Sequence, residues 1–148
     1  MRLSIHADAS YLSERKARSQ AAGYFFMANN GDKSFTNGTV LTVSTIIRHV
    51  MASAAEAELA AVYYAAQEAI SLRHLLEELG HSQTTTPITT DNATAHGLIS
   101  GAMMPRKSKA MDMLFHWLRC RQAQHQFVFR CNAARTTKQN TSANIIHL

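Results

Sequence analysis

The chain lacks most of the features that announce a function. It has two cysteines in 148 residues, Cys120 and Cys131, and they stand alone. Neither belongs to the paired Cys/His spacing that holds zinc, so both are expected to be reduced, buried or inert thiols. No apolar run approaches the roughly 20 residues that a bilayer span needs. The N-terminus has no apolar signal core, because Leu3 and Ile5 alternate with polar residues. No membrane partner and no targeting signal are therefore expected. There is no glycine-rich phosphate loop, which argues against an ATPase, and no nucleophile elbow around Ser or Cys. The eight histidines form no His-Glu-x-x-His motif and no His/Cys cluster. His6 draws notice because it shares a strand face with Asp8; His116 reads as packing beside a helical apolar stripe. No internal repeat is present.

What is there describes one folded domain. Hydrophobic residues make up 46%, which excludes wholesale disorder, and the length suffices to bury a core. A net charge of +5 is compatible with a polyanionic partner and equally with an ordinary basic protein.

Leu3 and Ile5 alternate with Ser4, His6 and Asp8, the pattern of a half-buried strand. Tyr11 to Gln20 is polar and reads as a loop or turn. Gly23 to Met27 reads as a second strand, and Thr39 to Ile47, rich in β-branched residues, as a third. Asn29-Asn30-Gly31-Asp32 and Asn37-Gly38 are turn signals, with Lys33 to Thr36 a loop or strand edge between them. The first three strands are thus expected to be antiparallel neighbours. Ala54 to Leu79 is the strongest helix: Leu59, Val62, Tyr63, Ala66, Ile70 and Leu76 recur at helical spacing, and Gly80 supplies the stop. Pro87 to Asp91 predicts a fourth strand and Asn92 to Ile99 a short helix. A further helix carries Met111, Leu114, Phe115 and Leu118, and Phe127 to Phe129 predicts a fifth strand. The order implies an α/β fold with a five-stranded mixed sheet flanked by helices.

Three carboxylates stand out against this frame. Asp8 ends the first extended run, Glu58 lies in the alanine-rich helix, and Asp91 closes the fourth strand. Acids that converge from strand ends and a helix face can hold magnesium, which prefers oxygen ligands. Two such ions roughly 3.5–4 Å apart can activate water and stabilise a leaving oxygen. Each acid also has a plainer reading. Asp8 could open a turn, Glu56 and Glu58 could be solvated acids favoured near a helix start, and Asp91 could cap the helix that follows. Jointly, and in this order of elements, the metal reading is stronger.

The residues resemble a known family. Asp8-Ala9-Ser10 followed by Gly23-Tyr24-Phe25-Phe26-Met27 resembles the opening of the ribonuclease H domain of copia-type LTR retrotransposon Pol polyproteins. Ala52-Ser53-Ala54-Ala55-Glu56-Ala57-Glu58-Leu59 is similar to that family's Ser-Ser-Thr-Glu-Ala-Glu-Tyr segment, and Thr90-Asp91-Asn92 to its Cys-Asp-Asn motif. Arg106-Lys107-Ser108-Lys109, then Met111-Asp112 and Phe115 to Arg119, resembles its Arg-Thr-Lys-His-Ile-Asp helix. The likeness spans roughly residues 3–131 and includes no Tyr-x-Asp-Asp polymerase motif.

The resemblance implies a ribonuclease H-like fold over 1–131 and hydrolysis of the RNA strand of an RNA/DNA hybrid. It implies two magnesium ions, with manganese as a substitute, held by Asp8, Glu58 and Asp91. Glu58 is chosen over Glu56 because Glu58-Leu59-Ala60-Ala61 matches the wider family pattern of Glu, apolar, any residue, Ala. Asn92, Lys107, Lys109 and Arg119 become candidate nucleic-acid contacts, against the alternative of solvated helix charges. The resemblance also implies a larger Pol polyprotein with reverse transcriptase and integrase, in a cytoplasmic virus-like particle or the nucleus. An integrase core shares the sheet but orders its acids Asp, Asp, Glu, so it is discounted.

The departure is in the tail. The family ends with an Ala-Asp-aromatic motif whose Asp is a fourth acid; here the nearest match is Ser142-Ala143-Asn144-Ile145. Residues 132–148 are expected to be disordered or out of frame, since codons permitted for Lys138 to Leu148 can spell the family ending in another frame. Loss of the fourth acid would leave either impaired cleavage or an inactive, vestigial or hybrid-binding domain.

Overall fold

The computed structural model describes residues 1–29, 36–101 and 109–132. Along them run β1 (Arg2–Glu14), a 3₁₀ turn (Arg15–Ala17), β2 (Arg18–Ala28), β3 (Thr36–Ile46), α1 (Ala54–Glu78), β4 (Thr86–Thr90), α2 (Ala93–Ser100), α3 (Lys109–Ala123) and β5 (Phe127–Cys131). The strands form one sheet in the order β3-β2-β1-β4-β5. The β1/β2 and β2/β3 pairs are antiparallel; β1/β4 and β4/β5 are parallel. This is the expected five-stranded mixed sheet.

Alternation decides which face is dry. Leu3, Ile5 and Ala7 of β1 point to one side with Ala21 and Phe25 of β2, Ile88 of β4 and Phe127 and Phe129 of β5, and all are buried. On that side α1 packs against β1 and β2, while α2 and α3 pack against β5 and against α1. The alanines of α1 explain how closely it sits. Ala57, Ala60, Ala61, Ala65, Ala66 and Ala69 are all buried and offer only methyl groups to the sheet. Gly23 completes this approach: a Cβ there would stand 3.4 Å from the Ala65 Cβ and 3.1 Å from the Phe25 ring. The opposite face of the sheet, helix-free among the described residues, exposes His6, Asp8, Tyr24, Thr42, Ser44 and Arg130.

Two helix ends share one design. At the end of α1 the Gly80 N–H donates to the Glu77 carbonyl and the His81 N–H to the Leu76 carbonyl, with Gly80 at φ +87°. At the end of α3 the His125 N–H donates to Gln122 and the Gln126 N–H to Arg121, and His125 takes φ 57°. Both are Schellman closures, which want a left-handed residue after the cap. In the second, histidine occupies the position that glycine adopts without strain.

The structure differs from the sequence reading at Tyr11 to Gln20. That stretch is no simple loop: β1 runs on to Glu14 and β2 starts at Arg18, pairing Ser10 with Gln20 and Glu14 with Arg18. Between those pairs β1 carries an irregularity where Leu12 takes φ 52° and donates its N–H to the buried Ser19 Oγ at 3.0 Å. The ribbon is held by backbone pairing and needs no apolar alternation, so composition hid it. β2 is correspondingly longer than Gly23 to Met27, and β3 runs from Thr36 rather than Thr39. Of the alternatives reduced, buried or inert, burial does not describe the thiols: Cys120 is exposed and Cys131 half-buried, and both are free. No described helix is long and apolar enough to cross a membrane.

Candidate metal centre

Three elements deliver the three acids to one spot. Asp8 lies on β1, on the opposite side from Leu3 and Ile5. Asp91 follows the last residue of β4, which runs parallel to β1, so both acids emerge at the same end of the sheet. Glu58 rises from the first turns of α1. One side-chain oxygen from each lies within 4.8 Å of the others.

The three are not equivalent. Asp8 and Asp91 are exposed, whereas Glu58 is only 6% exposed. Its Oε1 accepts the Ala9 N–H at 3.1 Å and its Oε2 accepts the Thr90 hydroxyl at 3.4 Å. The Thr90 oxygen in turn accepts the Asn92 N–H at 3.3 Å. Burial first, and then the neighbouring charges of Asp91 and Asp8, push the Glu58 carboxyl up to about 7 against the pull of the Ala9 amide and the Thr90 hydroxyl. Glu58 is thus held by two donors yet crowded by like charge. Hard oxygen donors under mutual repulsion suit a hard divalent cation, which would relieve that repulsion on binding.

Glu56 does other work. Its N–H bonds the Ser53 Oγ at 3.2 Å, and its Oε2 accepts the Ala52 N–H at 2.9 Å, a reciprocal cap that opens α1. The fallback ligand is therefore occupied with the helix start, and Glu58 is the glutamate that meets the aspartates.

The remaining candidates scatter. Asn92, and not Asp91, caps α2: its side chain accepts the Ala95 N–H at 3.0 Å, which places it beside the acids with a structural role already filled. Arg119 is exposed, with its guanidinium 5.5 Å from the centre of the Phe115 ring. It stands over Gly101 at the far end of α2 from Asp91, so the structure does not bring it to the acids. Lys107 lies outside the described residues, as does Asn144, and Lys109 opens α3.

Of the walls of the cleft besides the acids, sequence reasoning noticed His6 and passed over the rest. A hollow of about 240 Å³ beside the acids is lined by His6, Tyr24, Thr89, Thr90 and Asn132 together with Asp8 and Asp91. His6 was legible from strand alternation. Tyr24 becomes visible only through its cross-strand pairing with His6.

No protein-family profile matches the chain. In sequence it is 28% identical over 114 residues to the retrovirus-related Pol polyprotein from transposon TNT 1-94 of Nicotiana tabacum, a match that covers 77% of this chain. The chain spans about 8% of the length of that curated relative. In structure it is similar to the N-terminal RNase H domain of rv2228c from Mycobacterium tuberculosis, with a TM-score of 0.62 at 12% identity over 88% of this chain and 86% of that one. It is also similar to LC11-RNase H1, solved in complex with an RNA/DNA hybrid, with a TM-score of 0.58 at 12% identity over 88% and 86% of the two chains. Sequence and architecture converge: the chain has the ribonuclease H fold, and its sequence is similar to that of a retrotransposon Pol polyprotein.

Proposed function

We propose that the chain is a retrotransposon-derived, copia-type ribonuclease H that cleaves the RNA strand of RNA/DNA hybrids by metal-dependent hydrolysis. The observation that carries this reading is the meeting of Asp8, Glu58 and Asp91 within 4.8 Å at one end of the sheet. Asp8 and Asp91 would hold the catalytic cations from the open side, and Glu58 from below. Two magnesium ions, or manganese in their place, would supply Lewis-acid activation of water and stabilisation of the leaving oxygen. The protein's own contribution is placement. Ala9 and Thr90 fix the Glu58 carboxylate, and the paired strands β1 and β4 fix the two aspartates. The solved LC11-RNase H1 complex supports a hybrid as the substrate class, and the relative supports a setting within a Pol polyprotein; reverse transcriptase and integrase as its companions, in a cytoplasmic virus-like particle or the nucleus, belong to the same proposal.

A second reading rests on one observation. The fourth family acid has no counterpart in Ser142-Ala143-Asn144-Ile145, so the domain would bind hybrids without cutting them. One experiment decides between the two: a labelled RNA/DNA hybrid incubated with the protein and Mg²⁺, with Asp91→Asn as control. Cleavage that Asp91→Asn abolishes supports the nuclease. Binding without cleavage supports the inactive reading, and cleavage indifferent to Asp91→Asn removes the site.

A further inference from the structure

The face of the sheet away from the helices carries a row of side chains that the three acids do not account for. Strand register places Thr42, Tyr24, His6, Thr89 and Arg130 side by side across β3, β2, β1, β4 and β5. Residues directly paired across strands project to the same face. Thr42, Tyr24, His6 and Arg130 are exposed there. The His6 ring meets Phe26 edge-on at 5.5 Å, which fixes its orientation.

Two hollows open onto this row. One, of about 240 Å³, lies between His6, Tyr24, Thr89 and the acids. The other, of about 230 Å³, lies between Tyr24, Gln20, Thr42 and Ser44. Asp8 and Tyr24 are walls of both, so the two are halves of one trough that crosses β3 to β4 and passes the acids. Its outer half is polar, with Gln20 Nε2 donating to Ser44 Oγ at 2.7 Å.

We propose that this trough is a platform for an unpaired nucleic-acid strand, with a base stacked on Tyr24 and a phosphate taken by Arg130. An aromatic plane in the middle, hydroxyl and amide groups to one side and a cation at the far edge are what such a strand requires. A base has a π-face and no charge, so it can lie on Tyr24 beside the acids where a phosphate would be repelled. A duplex keeps its bases stacked on one another and cannot offer one to the ring. The platform therefore favours a single-stranded extension leading to the carboxylates. It rests on the nuclease reading only for the purpose of holding the strand there.

The test is binding without chemistry. Fluorescence anisotropy of a labelled single-stranded RNA with the full chain in EDTA should show saturable binding. Tyr24→Ala should weaken it about fivefold or more, Tyr24→Phe should retain it, and Arg130→Ala should weaken it and flatten its salt dependence. Tyr24→Trp provides a direct reading that requires no loss of side chain. The natural Trp117 sits against Tyr63 on the helix side, so quenching that appears only in this variant reports a base on residue 24. Absent binding, binding indifferent to Tyr24→Ala, a Tyr24→Phe as weak as Tyr24→Ala, or no quenching of Trp at position 24 would each overturn the platform. Cleavage is read separately: a chain that binds through Tyr24 but never cuts a hybrid refutes the nuclease and leaves the platform standing.

Discussion

The two ends of the sheet treat buried polar groups in opposite ways. At the end where β4 begins, Arg73 reaches across from α1 and donates to the Thr84 carbonyl at 2.7 Å, to the Thr86 hydroxyl and to the Gln83 carbonyl, with Glu77 at 3.9 Å. The buried Gln83 spends both ends of its amide there: its oxygen accepts the Leu3 N–H, and its nitrogen donates to the Met1 and His81 carbonyls. Arg73 and Gln83 thus find partners and lock the loop from α1 to β4; among the described residues the buried side-chain atom left without a partner at this end is Arg2 Nε. At the end where β4 finishes, the buried Glu58 faces Asp8 and Asp91, like charge against like. The first arrangement stabilises the fold. The second is costly in the folded chain alone and becomes favourable when a cation arrives, the pattern expected of a site rather than of scaffolding.

The contrast can be broken by mutation, and the largest effect belongs to the acidic end. Asp8→Asn or Asp91→Asn should reduce Mg²⁺-dependent hybrid cleavage by at least the roughly 100-fold that loss of an outer-sphere partner can cost, with little change in melting temperature. Arg73→Met should do the reverse, destabilising the fold by about 1–3 kcal/mol in urea unfolding because the part-buried acceptors on Thr86 and Gln83 lose their charged donor. Equal loss of activity from Arg73→Met at full stability would erase the distinction between the ends.

A smaller effect sharpens it. Glu58 is raised from its ordinary 4.5 to about 7, so between those values the folded chain holds more proton than the unfolded one. Stability of the metal-free protein should therefore fall as pH rises from 4.5 to 7 and level off above. Glu58→Gln should remove that slope and stabilise the metal-free protein at pH 8 by on the order of 1–3 kcal/mol while abolishing cleavage. A metal-free protein that gains stability over that interval on account of Glu58 would contradict the crowding described. The smallest effect lies at the structural end. His125→Gly should raise stability by about 1 kcal/mol, since it relieves a left-handed histidine whose carbonyl accepts the Thr85 hydroxyl at 2.9 Å. Unchanged or lower stability in thermal unfolding would show that the histidine is not strained there.

Legibility in the sequence followed local physics. Alternation at Leu3 and Ile5 marked β1 and its wet face, and helical spacing with a terminal Gly80 marked α1 almost to the residue. The β1/β2 ribbon escaped because backbone pairing leaves no hydrophobic pattern when neither face is dry. The end of α3 carries no glycine signal, because histidine takes the left-handed position there. Glu56 and Glu58 stand two apart on one helix, and family likeness preferred Glu58; the structure separates them by giving Glu56 to the cap and Glu58 to the aspartates.

The amino-acid order by itself determined the strands, the alanine-rich helix, the three acids and the family resemblance they carry, since each rests on residues close together in the chain. Tertiary structure alone decided that residues 8, 58 and 91 share one point, that Arg73 and Gln83 close the opposite end, and that Tyr24 stands beside His6 above an open trough. Those relations depend on strand register and on how closely α1 approaches the sheet, which methyl groups and a single Gly23 permit but no local pattern records.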